Sequence, residues 1–166
     1  MSAPAKPPVW VKLRFEVPSS FPAAEIVHTQ METLLSTLEL DEDTVHWTTL
    51  GFREAVNNAI LHGNQLDPAK TVQIDMEWQQ SSGILRFIIA DEGPGFRREG
   101  VKDPLKPENL MKPSGRGIFC IEKCMGRVDI GYNSNGRFAI ILEKTLTSPS
   151  APDGATPPAP EGASHA

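Results

Sequence analysis

The chain has 166 residues, a formal net charge of −5 and a pI near 5.4, which argues against a nucleic-acid binder that works through a basic surface. No run of about 18 uncharged apolar residues occurs, and the N-terminus MSAPAKPPVW lacks the apolar segment of a secretory signal, so neither a membrane span nor export is expected. Two cysteines, Cys120 and Cys124, make no disulfide framework, and the expectation is a soluble protein of a reducing compartment, by default cytoplasmic.

Eight of the 15 prolines lie in the first eight and last twenty residues. Residues 1–8 and 147–166 therefore read as disordered, Pro/Ala-rich tails with too little apolar surface to offset ordering. Residues 9–146 read as one domain with its own core. Within it, Val9, Val11, Leu13, Phe15 and Val17 alternate with Trp10, Lys12, Arg14 and Glu16, which predicts a strand with one face toward a core. Ser19 and Ser20 are caps for a helix starting near Pro22, where Val27, Met31, Leu34 and Leu38 recur at helical spacing. Leu40-Asp41-Glu42-Asp43 breaks that helix and supplies acidic caps for a second one, Asp43 to His62, with Val45, Phe52, Val56 and Ala59 as its apolar stripe. Gly63-Asn64 is its expected stop, since both residues tolerate left-handed backbone.

Val72, Ile74, Met76 and Trp78 alternate in a strand that turns at Ser81-Ser82-Gly83 into the apolar run Ile84–Ala90, a hairpin. Asp91–Gly117 is rich in glycine and proline and has little periodicity, and a loop of that length is commonly a lid or binding loop. A helix over Gly117–Met125, a strand at Val128–Tyr132, a turn at Asn133–Gly136 and a strand at Phe138–Glu143 complete the order. Strand pairs joined by tight turns predict an α+β two-layer sandwich, a mixed and mostly antiparallel sheet with helices on one face.

Three segments carry chemistry. Glu54 and Asn58 are four apart on the second helix and share a face, with Asn57 beside them. Glu54 is able to take a proton from a hydroxyl, and Asn58 offers an uncharged oxygen to magnesium. Alone, the pair is more often a solvated helix face. Asp91-Glu92-Gly93-Pro94-Gly95-Phe96 follows an apolar strand; its glycines allow positive φ and close backbone approach, and a carboxylate there can accept from an exocyclic amine. A plain turn has the same composition. Ser114-Gly115-Arg116-Gly117 opens a helix, whose N-terminal amides suit phosphate, although a glycine hinge reads the same way. Between the last two, Arg97–Lys112 carries five basic and three acidic residues, a net-positive loop suited to cover a polyphosphate.

Taken together and in order, Glu54-x-x-x-Asn58, Asp91-x-Gly93-x-Gly95 and Gly115-Arg116-Gly117 resemble the N box and two glycine boxes of the Bergerat-fold (GHKL) ATPases. EAVNNAILHGN and SGRGIFCIEKCM are most similar to the bacterial anti-sigma factor serine kinases, over roughly Phe21–Leu146. The resemblance implies ATP and Mg2+ as cofactors, Glu54 as catalytic base and Asn58 as magnesium ligand. It implies Asp91 on the adenine amine, with Gly93 and Gly95 shaping that wall, and Gly115, Arg116 and Gly117 at the phosphates. The partners it implies are a sigma factor and a STAS-domain anti-sigma factor antagonist, phosphorylated on serine, and many such proteins are homodimers. The alternative is an ATP-binding partner-switching module without kinase turnover. The ATPase half of a sensor histidine kinase is disfavoured, since no histidine-bearing helix pair precedes Glu54. Met125-Gly126 departs from the acidic residue such kinases often carry there. Cys120 and Cys124, His28 and His46, and Trp10, Trp47 and Trp78 read respectively as core packing, surface positions, and sheet or helix packing.

Overall fold

Alternating apolar residues build the strands and 3.6-residue periodicity builds the helices, in the order the sequence predicts. In the computed structural model, residues 9–38, 40–96 and 116–146 are described, without the side chain of Arg116. Both Pro-rich tails, the basic loop and Gly115 lie outside them. The elements are β1 (Val11–Pro18), α1 (Phe21–Ser36), α2 (Glu42–Asn58), a π-helical turn (Ala59–Gly63), β2 (Thr71–Gln79), β3 (Ile84–Asp91), α3 (Arg116–Cys124), β4 (Arg127–Tyr132) and β5 (Phe138–Thr145).

The sheet order is β1-β2-β3-β5-β4, and every described pairing is antiparallel, so the sheet is antiparallel rather than mixed. One face carries Val72, Ile74, Leu85, Phe87, Ile89, Ile140 and Leu142, buried against Ala24, Met31 and Leu35 of α1, Phe52 and Val56 of α2, and Ile121 of α3. Phe52 and Phe87, 4.9 Å between ring centroids, tie α2 to the middle of the sheet. Burial of each such side chain contributes about 1.5–3 kcal/mol. Ser20 caps α1, and the Asp41 carboxylate caps α2 by accepting the Thr44 N–H at 2.8 Å.

The opposite face is polar yet covered. Gln73, Asp75, Glu77 and Gln79 of β2 are all buried. Arg14 forks onto Asp75 at 2.5 and 2.9 Å, while Lys12 and Arg86 flank Glu77 at 2.6 and 3.1 Å. Arg86 continues to Glu143 at 2.9 Å, and its guanidinium lies 4.8 Å over the Trp10 ring. Cross-strand pairs of opposite charge shield one another here in place of a second helix layer.

Four expectations need correction. The core stripe of α1 is Ala24, His28, Met31 and Leu35, with Val27, Leu34 and Leu38 at its margin, so His28 is buried and not at the surface. Val11, Leu13 and Phe15 of β1 face the helix side but are 57%, 43% and 37% exposed, because β1 is an edge strand. Trp47 is exposed on α2, beside His46. The α-helix ends at Asn58 rather than His62, and the chain continues in a wider π-helical turn. The left-handed residues that stop it are Gln65 and Leu66, at φ 56° and 59°, not Gly63-Asn64. Cys124 is core, as expected, with Cys120 half-buried one turn away and the sulfurs 3.9 Å apart; burial pushes the Cys124 thiol up to about 11.

Candidate functional site

The second helix is the backbone of the site. α2 and α3 run antiparallel in contact. A Cβ on Gly51 would lie 3.0 Å from the Cβ of Cys124, and a Cβ on Gly117 would lie 2.8 Å from Asn58 Nδ2. The first turn of α3, which opens the second glycine segment, therefore sits on the side chain of Asn58. The positive dipole end of that helix lies beside the Asn58 carboxamide. Glu54 is half-buried one turn earlier on α2. Asn57 Oδ1 is buried and has no hydrogen-bond partner among the described residues, an acceptor left open next to Glu54.

The π-helical turn then delivers the same helix to the first glycine segment. A side chain on Gly63 would fall on the Asp91 carboxyl group, and one on Gly93 would fall on the Gly63 carbonyl oxygen. Glycine is required at both by close approach, not by φ. Gly95 is the position that does need left-handed backbone, at φ 72°, and a side chain there would strike the Phe138 ring. A π turn inserted at the end of a helix is a recurrent feature of functional sites.

Asp91 ends β3 and is 4% exposed. Its Oδ1 accepts the Gly93 N–H at 2.8 Å. Burial raises its pKa, and the Gly93 amide and Lys70 only partly oppose that. A buried carboxylate with one oxygen engaged and no paired cation among the described residues is matched to a neutral hydrogen-bond donor, such as an exocyclic amine.

The structure thus brings Glu54, Asn58, Asp91, Gly93 and Gly117 onto one helix and the two segments touching it. Gly95 buttresses the first segment against Phe138. Gly115 and the Arg116 side chain lie outside the described residues. These residues fit a nucleoside triphosphate: a buried acceptor at one end, a helix N-terminus and a carboxamide oxygen at the other. Among the described residues no three metal-binding side chains cluster, so a hard cation here would draw on Asn58, water and phosphate oxygens, which suits magnesium. Sequence reasoning missed Asn64 and the Gly63 contact, whose partners Thr71, Glu92 and Asp91 are distant in sequence.

Comparison with known proteins identifies the family and the fold. Residues 22–144 match the family model of the histidine kinase-like ATPase domain. An anti-sigma F factor of Geobacillus sp. (strain WCH70) is 34% identical over 102 residues, covering 59% of this chain and 67% of the relative. The serine-protein kinase RsbW of Staphylococcus epidermidis is 22% identical over 130 residues, covering 75% of this chain and 80% of that protein. Among solved structures, the RsbU and RsbW domains of Rv1364c from Mycobacterium tuberculosis align with a TM-score of 0.59 at 18% identity. That likeness covers 84% of this chain and 33% of that chain and bears on the fold alone.

Proposed function

The chain belongs to the histidine kinase-like ATPase domain family, alongside the anti-sigma factor kinases, and on that premise we propose that it is an ATP-dependent protein serine kinase and anti-sigma factor. It transfers the γ-phosphoryl group of ATP to a serine of a STAS-domain antagonist, and it sequesters a sigma factor when the antagonist is phosphorylated. The observation that supports this reading is that one helix reaches both glycine segments: α2 meets α3 at Asn58 and Gly117, and its π-helical extension meets Asp91 at Gly63.

Asn58 would hold Mg2+ through its amide oxygen, and the bound cation would neutralise charge on the phosphates of ATP, the phosphoryl donor. Glu54 accepts the proton of the attacking serine hydroxyl. Asp91 accepts from the adenine 6-amino group, with Gly93 and Gly95 keeping that wall free of side chains. The amides of the first turn of α3, Arg116 and Gly117, receive phosphate oxygens, and the resemblance assigns Gly115 and the charge of Arg116 to the same phosphates. Phosphoryl transfer asks mostly for positioning and charge stabilisation, and this set supplies both.

The working unit is residues 9–146, acting in the cytoplasm; no helix of the described residues is long and apolar enough to cross a membrane. It works as a homodimer, a reading supported by the apolar residues Val11, Leu13 and Phe15 left open on the edge strand β1.

Equilibrium ATP binding with and without Mg2+, to the wild type and Asn58→Ala, tests the nucleotide end. The wild type is expected to gain affinity with Mg2+, and Asn58→Ala to lose most of that gain, about tenfold or more for one lost charge-assisted contact. Equal Mg2+ dependence in both would remove Asn58 from the site. Saturable ATP binding with no transfer to any STAS partner would favour the partner-switching module without turnover.

A further inference from the structure

We propose that Asn64 is the positioning residue for Asp91, and that it sets the enzyme's preference for adenine over guanine nucleotides. The inference rests on the reading that Asp91 accepts from the adenine amine.

Asn64 is fully buried immediately after the π-helical turn, where its own N–H donates to the Ala59 carbonyl at 2.8 Å. Its side chain bridges two other elements. Nδ2 donates to the Thr71 carbonyl at the start of β2, at 2.9 Å, and Oδ1 accepts the Glu92 N–H at 2.8 Å. Thr71 and Glu92 are in turn joined to each other: the Glu92 carboxylate accepts the Thr71 N–H at 2.7 Å and its hydroxyl at 3.0 Å. Asn64, Thr71 and Glu92 therefore form a closed ring of hydrogen bonds around the residue that follows Asp91.

Each residue after β3 is held separately. The Asp91 carboxylate is tied to the Gly93 N–H, the Glu92 N–H to Asn64, and Gly93 rests on the Gly63 carbonyl. Asn64 couples the end of the N-box helix to this loop through Oδ1 and to the start of β2 through Nδ2. No other residue type offers a donor and an acceptor in one short plane at this position; aspartate keeps the acceptor but turns a second oxygen toward the Thr71 carbonyl. The fixed direction of the Asp91 carboxylate matters because base selection is directional: adenine presents a donor at position 6, guanine an acceptor that a carboxylate repels. A loop free to shift lets a water intervene, and the repulsion weakens along with the attraction.

Dissociation constants for ATP and GTP, measured on the full chain, give the test as a ratio. A purely structural role for Asn64 lowers both affinities together and leaves the ratio alone. The wild type is expected to prefer ATP, and Asp91→Asn to lose that preference; failure of either result overturns the Asp91 reading and this inference with it. If both hold, Asn64→Ala is expected to cut the GTP-to-ATP ratio about tenfold, with Asn64→Asp intermediate. An unchanged ratio in folded Asn64→Ala or Asn64→Asp, with Asp91→Asn behaving as expected, overturns the inference alone. Should Asn64→Ala fail to fold, Glu92→Ala opens the exposed side of the same ring, and a ratio unmoved in both it and Asn64→Asp is equally decisive.

Discussion

Asp91 shows how a single residue is held for binding at the expense of the fold. Burial raises its pKa from the usual 3.8, with no full charge partner to offset it. A carboxyl with a raised folded pKa contributes its stability in full below the unfolded value and loses it as pH rises through the folded one. At neutral pH the ionised Asp91 therefore destabilises the empty domain. Asp91→Asn keeps the Oδ1 acceptor for Gly93 and removes the buried charge. It is expected to unfold at a higher urea concentration than the wild type at neutral pH, with the difference closing below pH 3.8. The same variant is expected to bind ATP about 10- to 100-fold more weakly, from the loss of one charge-assisted acceptor. Urea melts at two pH values and a nucleotide titration check both halves.

At the scale of elements, α1 and α2 meet over an unusual core residue. His28 is buried, neither ring nitrogen has a hydrogen-bond partner among the described residues, and its ring stands edge-on to Phe52 at 6.0 Å. Burial, with help from Arg53, lowers its pKa below 6.5, and Glu25 opposes this weakly from 3.6 Å. Above pH 6.5 the ring is neutral in the unfolded chain too and protonation costs the fold nothing, and stability is lost as pH falls from there through the lowered folded value. His28→Leu is expected to raise the melting temperature, by about 1 kcal/mol of stability from removing two orphaned nitrogens, and to flatten the acid limb between pH 6.5 and 5. Thermal melts across that range decide it, and an unchanged acid limb would contradict the assignment.

Which elements form was legible in the sequence because period 2 and period 3.6 act locally. The pattern misplaced His28 because a histidine in an apolar stripe looks the same buried or exposed until Phe52 arrives from the next helix. It carries no sign that Gln73, Asp75, Glu77 and Gln79 are buried, since their cover comes from Arg14, Lys12 and Arg86 on other strands. For the site, Glu54, Asn58, Asp91 and the glycines were legible as local motifs. The ring of Asn64, Thr71 and Glu92 was not, because it arises from contacts between residues up to 28 apart, and the π turn has no local pattern that sets it apart from an ordinary helix end.

At the scale of the whole molecule, the inner strands of the sheet are buried against the helices, and the edge strand β1 is open. There the helix-side residues Val11, Leu13 and Phe15 stand 57%, 43% and 37% exposed, on an edge with no further strand among the described residues. Exposed apolar side chains on an unpaired edge invite a second copy. Leu13→Lys is expected to convert a dimer into a monomer in sedimentation equilibrium while leaving ATP affinity within about twofold, since β1 does not touch Asn58, Asp91 or Gly117. A wild type that is monomeric at high concentration would remove the dimer from the account.

The central claim is that Glu54 acts on the acceptor serine within a site that α2 assembles for ATP. The most direct measurement compares wild type and Glu54→Ala, each saturated with labelled ATP and Mg2+, for nucleotide bound and for phosphoserine formed on a STAS-domain antagonist. The account predicts near-equal binding and a loss of transfer of at least about 100-fold in Glu54→Ala, the scale of a missing general base. Equal transfer by the two proteins at equal occupancy would contradict it.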